Sequence, residues 1–264
     1  MSFPFHLKLG VFEISAHLIF ETLAFIIGFQ YYLFLRKSSK DQLNSEERFW
    51  ILIAVCLGAL FFSRLIAVME HINLIQKNTP ISFYYSQKTI VGGLLGGLIA
   101  VEVTKKLLGI TKSSGDLMTY PILLGMIIGR IGCFLSGLED GTYGVETNTF
   151  LGVDFGDGLK RHPTQLYEII FLLILWILIY LLTIPKFWNF IGFKNNRLDN
   201  YTTLADGMKF KIFLFSYLIF RFFIEFIKPV SKFAFQISFI QIACLIGIFY
   251  YLILAFVKIN FFRR

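Results

Sequence analysis

Seven strongly apolar runs alternate with short polar connectors along the 264-residue chain, at approximately 12–35, 50–69, 89–108, 117–137, 165–184, 208–227 and 235–257. A helix that crosses the hydrocarbon core of a bilayer needs about 20 such residues. The pattern therefore predicts an all-α membrane protein with seven transmembrane helices, forming a single polytopic domain over residues 1–264. No soluble domain, low-complexity segment or internal repeat interrupts it. The first ten residues hold one lysine and no cleavable-signal layout, which predicts that they are retained.

Composition agrees with this class: 56% of residues are hydrophobic, 18% aromatic and only 16% charged, with a mean hydropathy of +0.68. A soluble domain carries about 25% charged residues. The net charge of +8 does not point to nucleic acid, because the basic residues are scattered among the short connectors. They set orientation instead. Alternate connectors hold fifteen and seven basic residues, and the positive-inside rule then places the N-terminus outside and the C-terminus in the cytoplasm. The long segment at about 138–164, rich in glycine and acids, is too polar to span. It reads as an extracytoplasmic loop that caps the bundle or as a solvated connector.

Cys56, Cys133 and Cys244 all lie in apolar runs and form no CxxC pair, so neither a disulfide framework nor a metal site is expected, and no cofactor is implied. The unusual residues are charged. Arg64, Arg130 and Arg221 each sit five to seven residues before the outer end of a predicted span. At about 1.5 Å per residue they share a depth roughly 8–11 Å below the outer surface. Arginine stays charged when desolvated and grips phosphate with two parallel hydrogen bonds. Three such residues at one depth imply a cationic pocket for an anionic lipid headgroup.

Acids accompany them. Glu225 follows Arg221 by four residues, on the same helix face, and is expected to pair with it. Glu13, His17 and Glu21 recur every four residues and predict a polar stripe on the first span, facing the bundle. Small residues form two further faces: Gly92, Gly93, Gly96 and Gly97 on the third span, and Gly125, Gly129 and Cys133 on the fourth. Close helix packing and the shaping of a lipid cavity are both compatible with them.

With these residues in view, three segments carry a resemblance: GRIGCFLSGLEDGTYG at 129–144, RHPTQLYE at 161–168 and RFFIEF at 221–226. In this order, on a seven-span layout, they are similar to the prolipoprotein diacylglyceryl transferase family. VGGLLGG at 91–97 resembles the family's His-Gly-Gly segment, and Arg64 an arginine of its second helix. Such enzymes move the diacylglyceryl group of phosphatidylglycerol to the lipobox cysteine of a secreted precursor, at the outer face of the bacterial plasma (inner) membrane. The resemblance implies that Arg130 and Arg221 hold the lipid phosphate. It places Arg64, Gly129, Gly132, Cys133, Glu225, Gly92 and Gly93 around the substrate.

This chain departs from the family at several positions. Cys133 stands where the family has asparagine, Val91 where it has histidine, and Glu21 where a tyrosine is expected. Glu21 and His162 are then the available proton acceptors, and His162 reads equally as an orderer of the outer loop. A paralogue that uses another acceptor, and a non-enzymatic lipid binder or transporter, are the rival readings.

Overall fold

The computed structural model describes residues 3–9, 12–38, 41, 43–72, 80–81, 84, 87–184, 204–229 and 237–262. Its helices are α1 (Ala16–Ser38), α2 (Ser45–Glu70), α3 (Ile90–Leu107), α4 (Asp116–Leu135), α5 (Thr164–Leu182), α6 (Met208–Ile224) and α7 (Phe239–Phe262). Each falls on one of the apolar runs. Five of them, α1, α2, α4, α5 and α7, are long and apolar enough to cross a membrane. The last turns of α3 carry Glu102, Lys105 and Lys106, and α6 has 17 residues, so neither reaches that standard. Lys40, Lys77, Lys186, Lys194, Arg197, Lys232, Arg263 and Arg264, which contribute to the charge asymmetry, lie outside the described residues.

One boundary differs from the expectation. The first helix begins at Ala16, because β1 (His6–Leu9) and β2 (Phe12–Ser15) form an antiparallel hairpin that pairs His6 with Ser15 and Lys8 with Glu13. Alternating polar and apolar residues across 12–15 suit a strand and outweigh the helical period there. Glu13 therefore pairs with Lys8 at 3.0 Å on the hairpin, and only His17 and Glu21 share a helical face.

Chain contacts divide the molecule into two units. The first comprises residues 1–41, 115–213 and 227–229. Here α1 and α4 run antiparallel and close together. A methyl at Gly132 would meet Phe20 Cβ at 2.6 Å, and Gly125 and Gly28 face the backbone of Ala24 and Pro121. α5 packs on α4. The hairpin lies over the end of α4, where the Phe5 amide donates to the Leu135 carbonyl and Phe3 packs edge-on against Phe134 and Phe155. The 138–164 segment is built, with a 3-10 turn (Gly137–Asp140) and strands β3 (Val153–Asp154) and β4 (Lys160–Arg161). Asp116 closes the other end of α4 by accepting from the Gly207 and Phe210 amides, which would otherwise lack partners at the start of α6.

The second unit comprises residues 42–114, 214–226 and 230–264. Its α2 opens with a capping box in which Asn44 and Glu47 satisfy each other's backbone amides. α2 and α3 pack antiparallel through glycine. A methyl at Gly96 would lie 2.4 Å from the Gly58 carbonyl oxygen, and one at Gly92 would lie 2.5 Å from that of Phe62. Buried Arg48 donates to the Ser114 carbonyl at 2.9 Å.

Candidate active site

Arg130 lies on the last turns of α4 and is only 6% exposed. A guanidinium so deep in an apolar helix needs a counter-charge. Glu168 supplies it from the first turns of α5, with Oε2 at 2.9 Å from Arg130 Nε and the acid itself 2% exposed. Sequence reasoning did not single out Glu168. The signal was present, since a carboxylate seven residues after Arg161 opens an otherwise apolar helix and must face a partner.

The other edge of the guanidinium faces Cys133, one turn on, with Nη1 at 3.7 Å from Sγ. The same sulfur lies 4.0 Å from Nδ1 of His17 on α1. Gly132 permits this meeting, because a larger residue there would push Phe20 and α1 away. His17 Nδ1 lies 2.8 Å from Asp140 in the 3-10 turn, and its Nε2 lies 3.4 Å from Glu21, one turn along α1. Four elements, α1, α4, the 3-10 turn and α5, thus bring Arg130, Cys133, His17, Asp140, Glu21 and Glu168 into one polar cluster. Gly129 borders open space, with nothing within 4 Å of where a methyl would sit.

Asp140 lies outside the helices. Burial alone would push its carboxyl up, but hydrogen bonds from His17 and the Thr142 hydroxyl outweigh this and hold it at about 2. Thr142 is anchored in turn, its carbonyl accepting from the Thr164 hydroxyl. Gln165, on the same turn of α5, is 1% exposed, and neither end of its amide meets a partner among the described residues. An unpaired buried amide is costly and needs an explanation. A polar ligand would provide one.

The remaining sequence-derived residues are placed as follows. His162 bonds through Nδ1 to the Tyr167 hydroxyl at 3.0 Å, while its backbone pairs with Gly144 and Val145. It holds the 138–164 segment against the start of α5. In the second unit, Arg221 donates to Glu225 at 2.7 Å, with both buried, as the four-residue spacing predicted. Arg64 donates to the Leu60 carbonyl of its own helix and borders an apolar groove of Phe61, Leu65, Val68 and Tyr84. Gly92 is packed against Phe62 and Ser63, whereas Gly93 faces α2 more loosely, at 3.9 Å. Val91, on the first turn of α3, is buried and apolar.

Comparison with known proteins bears on this site. The family model of the prolipoprotein diacylglyceryl transferases matches residues 4–257. A phosphatidylglycerol–prolipoprotein diacylglyceryl transferase of Ehrlichia ruminantium (strain Welgevonden) is 31% identical over 235 residues, which covers 85% of this chain and 83% of that protein. One from Rickettsia felis is 26% identical over 230 residues, covering 84% and 82%. One from Clostridium tetani is 30% identical over 145 residues, covering 52% and 57%. The matched span covers the hairpin, α1 to α6, most of α7 and every residue of the polar cluster. The chain belongs to the prolipoprotein diacylglyceryl transferase family.

Proposed function

We propose that this protein transfers the diacylglyceryl group of phosphatidylglycerol to the lipobox cysteine thiol of a precursor protein, at the outer face of a bacterial plasma membrane. The observation that carries this reading is Arg130, buried and fixed along one edge by Glu168. Holding the guanidinium beside Glu168 pre-orients the cation, so that no reorganisation is needed when charge develops on a phosphate oxygen. The reaction replaces the glycerol carbon–oxygen bond to phosphate by a carbon–sulfur bond. The electron pair leaves on glycerol phosphate, and Arg130 stabilises that charge. Open space at Gly129 leaves room for the headgroup beside the guanidinium, and the Gln165 amide offers donors and an acceptor to its glycerol. Arg221, assigned on the RFFIEF segment, is proposed as a second cation in the reaction and Arg64 as a third.

The same reading takes all seven helices as spans, with the N-terminus outside and the C-terminus in the cytoplasm. The hairpin and the 138–164 segment are then extracytoplasmic, where a secreted precursor arrives. The basic residues favour this orientation.

A paralogue with a different acceptor is favoured by one observation: Val91, in place of the family histidine, offers no proton acceptor. One experiment separates the two readings. The purified protein in nanodiscs is given phosphatidylglycerol and a lipobox peptide, and the thioether product and released glycerol phosphate are measured by mass. Product is expected. Bound phosphatidylglycerol without product or released glycerol phosphate would overturn the transferase reading, and consumption of lipid without thioether would select the paralogue.

A further inference from the structure

We infer that His17, Cys133 and Asp140 form a binding site for a divalent metal ion of the zinc class, whose open position receives the acceptor thiol. This use of the site rests on the proposed transfer, but the metal site itself stands on geometry. Imidazole nitrogen, thiol sulfur and carboxylate oxygen lie within 4.8 Å of one another, each from a different element. In a tetrahedral zinc site, bonds of about 2.0–2.3 Å hold the donor atoms roughly 3.3–3.7 Å apart. The separations here, 2.8 Å from Nδ1 to Asp140 and 4.0 Å from Nδ1 to Sγ, bracket that range.

A second observation is independent of those three atoms. The other imidazole nitrogen of His17 faces the Glu21 carboxylate at 3.4 Å. A metal-binding histidine commonly gives its second N–H to a carboxylate, which fixes the ring and strengthens the metal bond. Charge also balances. Thiolate and carboxylate neutralise a divalent ion, while Glu168 neutralises Arg130 next to it. The proton between His17 and Asp140 is what the ion would displace, together with the thiol proton of Cys133. Cys133 is buried and the Asp140 side chain is 7% exposed, whereas the His17 side chain is 33% exposed, so the ligand set is open on the imidazole side.

The chemistry fits a chain whose family histidine is absent. A thiol that coordinates such an ion is deprotonated outright. The acceptor cysteine would bind as thiolate, losing its proton to water. Its sulfur then attacks the glycerol carbon, and the carbon–oxygen electron pair leaves on the phosphate held by Arg130.

Full-length protein in nanodiscs, stripped with a chelator and titrated with Co(II), tests the site without any turnover. The expected result is a stoichiometric complex with a sulfur-to-cobalt charge-transfer band. Cys133→Ser removes the band, Cys56→Ser leaves it, and Glu21→Gln weakens affinity about ten- to 100-fold. Absence of the band in wild type, or its persistence in Cys133→Ser, overturns the site. Should Cys133→Ser fail to fold, Zn(II) must still raise the unfolding temperature of wild type but not of His17→Gln. A lipobox peptide should shift the cobalt spectrum, whereas its Cys→Ser version should not. Full thioether formation by the stripped protein would remove the metal from the reaction and leave the transfer standing. A cobalt complex without transfer would do the reverse.

Discussion

Glu168 Oε2 lies 2.9 Å from Arg130 Nε, and both side chains are almost wholly buried. The contact joins α4 to α5 and fixes how the guanidinium is presented within the polar cluster. Breaking a buried pair by removing one partner costs about 3–5 kcal/mol, whereas replacing both partners by apolar groups is often neutral. Glu168→Ala should therefore unfold at a markedly lower temperature than wild type in the same detergent. Arg130→Met/Glu168→Met should recover most of that loss while binding no phosphatidylglycerol. Equal destabilisation by the single and double variants would show that the pair does not act as a unit.

Two glycines that look alike in the sequence should behave oppositely. Gly96 sits where a methyl would strike the Gly58 carbonyl at 2.4 Å, so Gly96→Ala must separate α2 from α3. Overpacking of this kind costs about 1–3 kcal/mol. Gly129 borders open space, so Gly129→Ala should fold as well as wild type yet raise the KM for phosphatidylglycerol by narrowing the room beside Arg130. Thermal unfolding and substrate titration of the two variants check both halves.

The 138–164 segment should loosen in acid. A hydrogen bond from Arg161 holds the Asp157 carboxyl below its ordinary value of 3.8, and Arg161 also lies over the Tyr143 ring at 5.4 Å. Because the folded value is depressed, the ordering contribution is complete above pH 3.8 and is lost as pH falls below it, through the lowered value. A spin label at the exposed Phe150→Cys position should gain mobility below that pH. Asp157→Asn should show the higher mobility at neutral pH and respond little to acid.

The helices were legible because lipid imposes one strong constraint, a run of apolar residues long enough to satisfy its own backbone. Each run carries a helix, and the Arg221–Glu225 pair followed from helical spacing alone. The start of α1 was misread because a four-residue strand and a helix end give similar short apolar patterns, and the pairing of Lys8 with Glu13 is a property of the turn between them. The rest of the polar cluster around Arg130 was harder to see. Glu168 lies 38 positions away in sequence and His17 lies 113 positions away, so no local spacing relates them. Only the close approach of α1 and α4 at Gly132 puts His17 beside Cys133. Cys133 was marked as a small residue near the substrate and as a departure from a family signature, but the meaning of its thiol depends on neighbours supplied by tertiary packing.

The most direct measurement compares thioether formation by wild type and Arg130→Lys at saturating phosphatidylglycerol, with folding of both verified by thermal unfolding. Lysine keeps the charge but loses the planar fork that grips phosphate and the edge that meets Glu168. Removal of one preorganised donor to a developing oxyanion typically lowers kcat by about 10²–10³-fold. A kcat reduced on that scale, with the fold intact, is the expected result. An unchanged kcat in folded Arg130→Lys would contradict the assignment of Arg130 as the group that stabilises the departing phosphate.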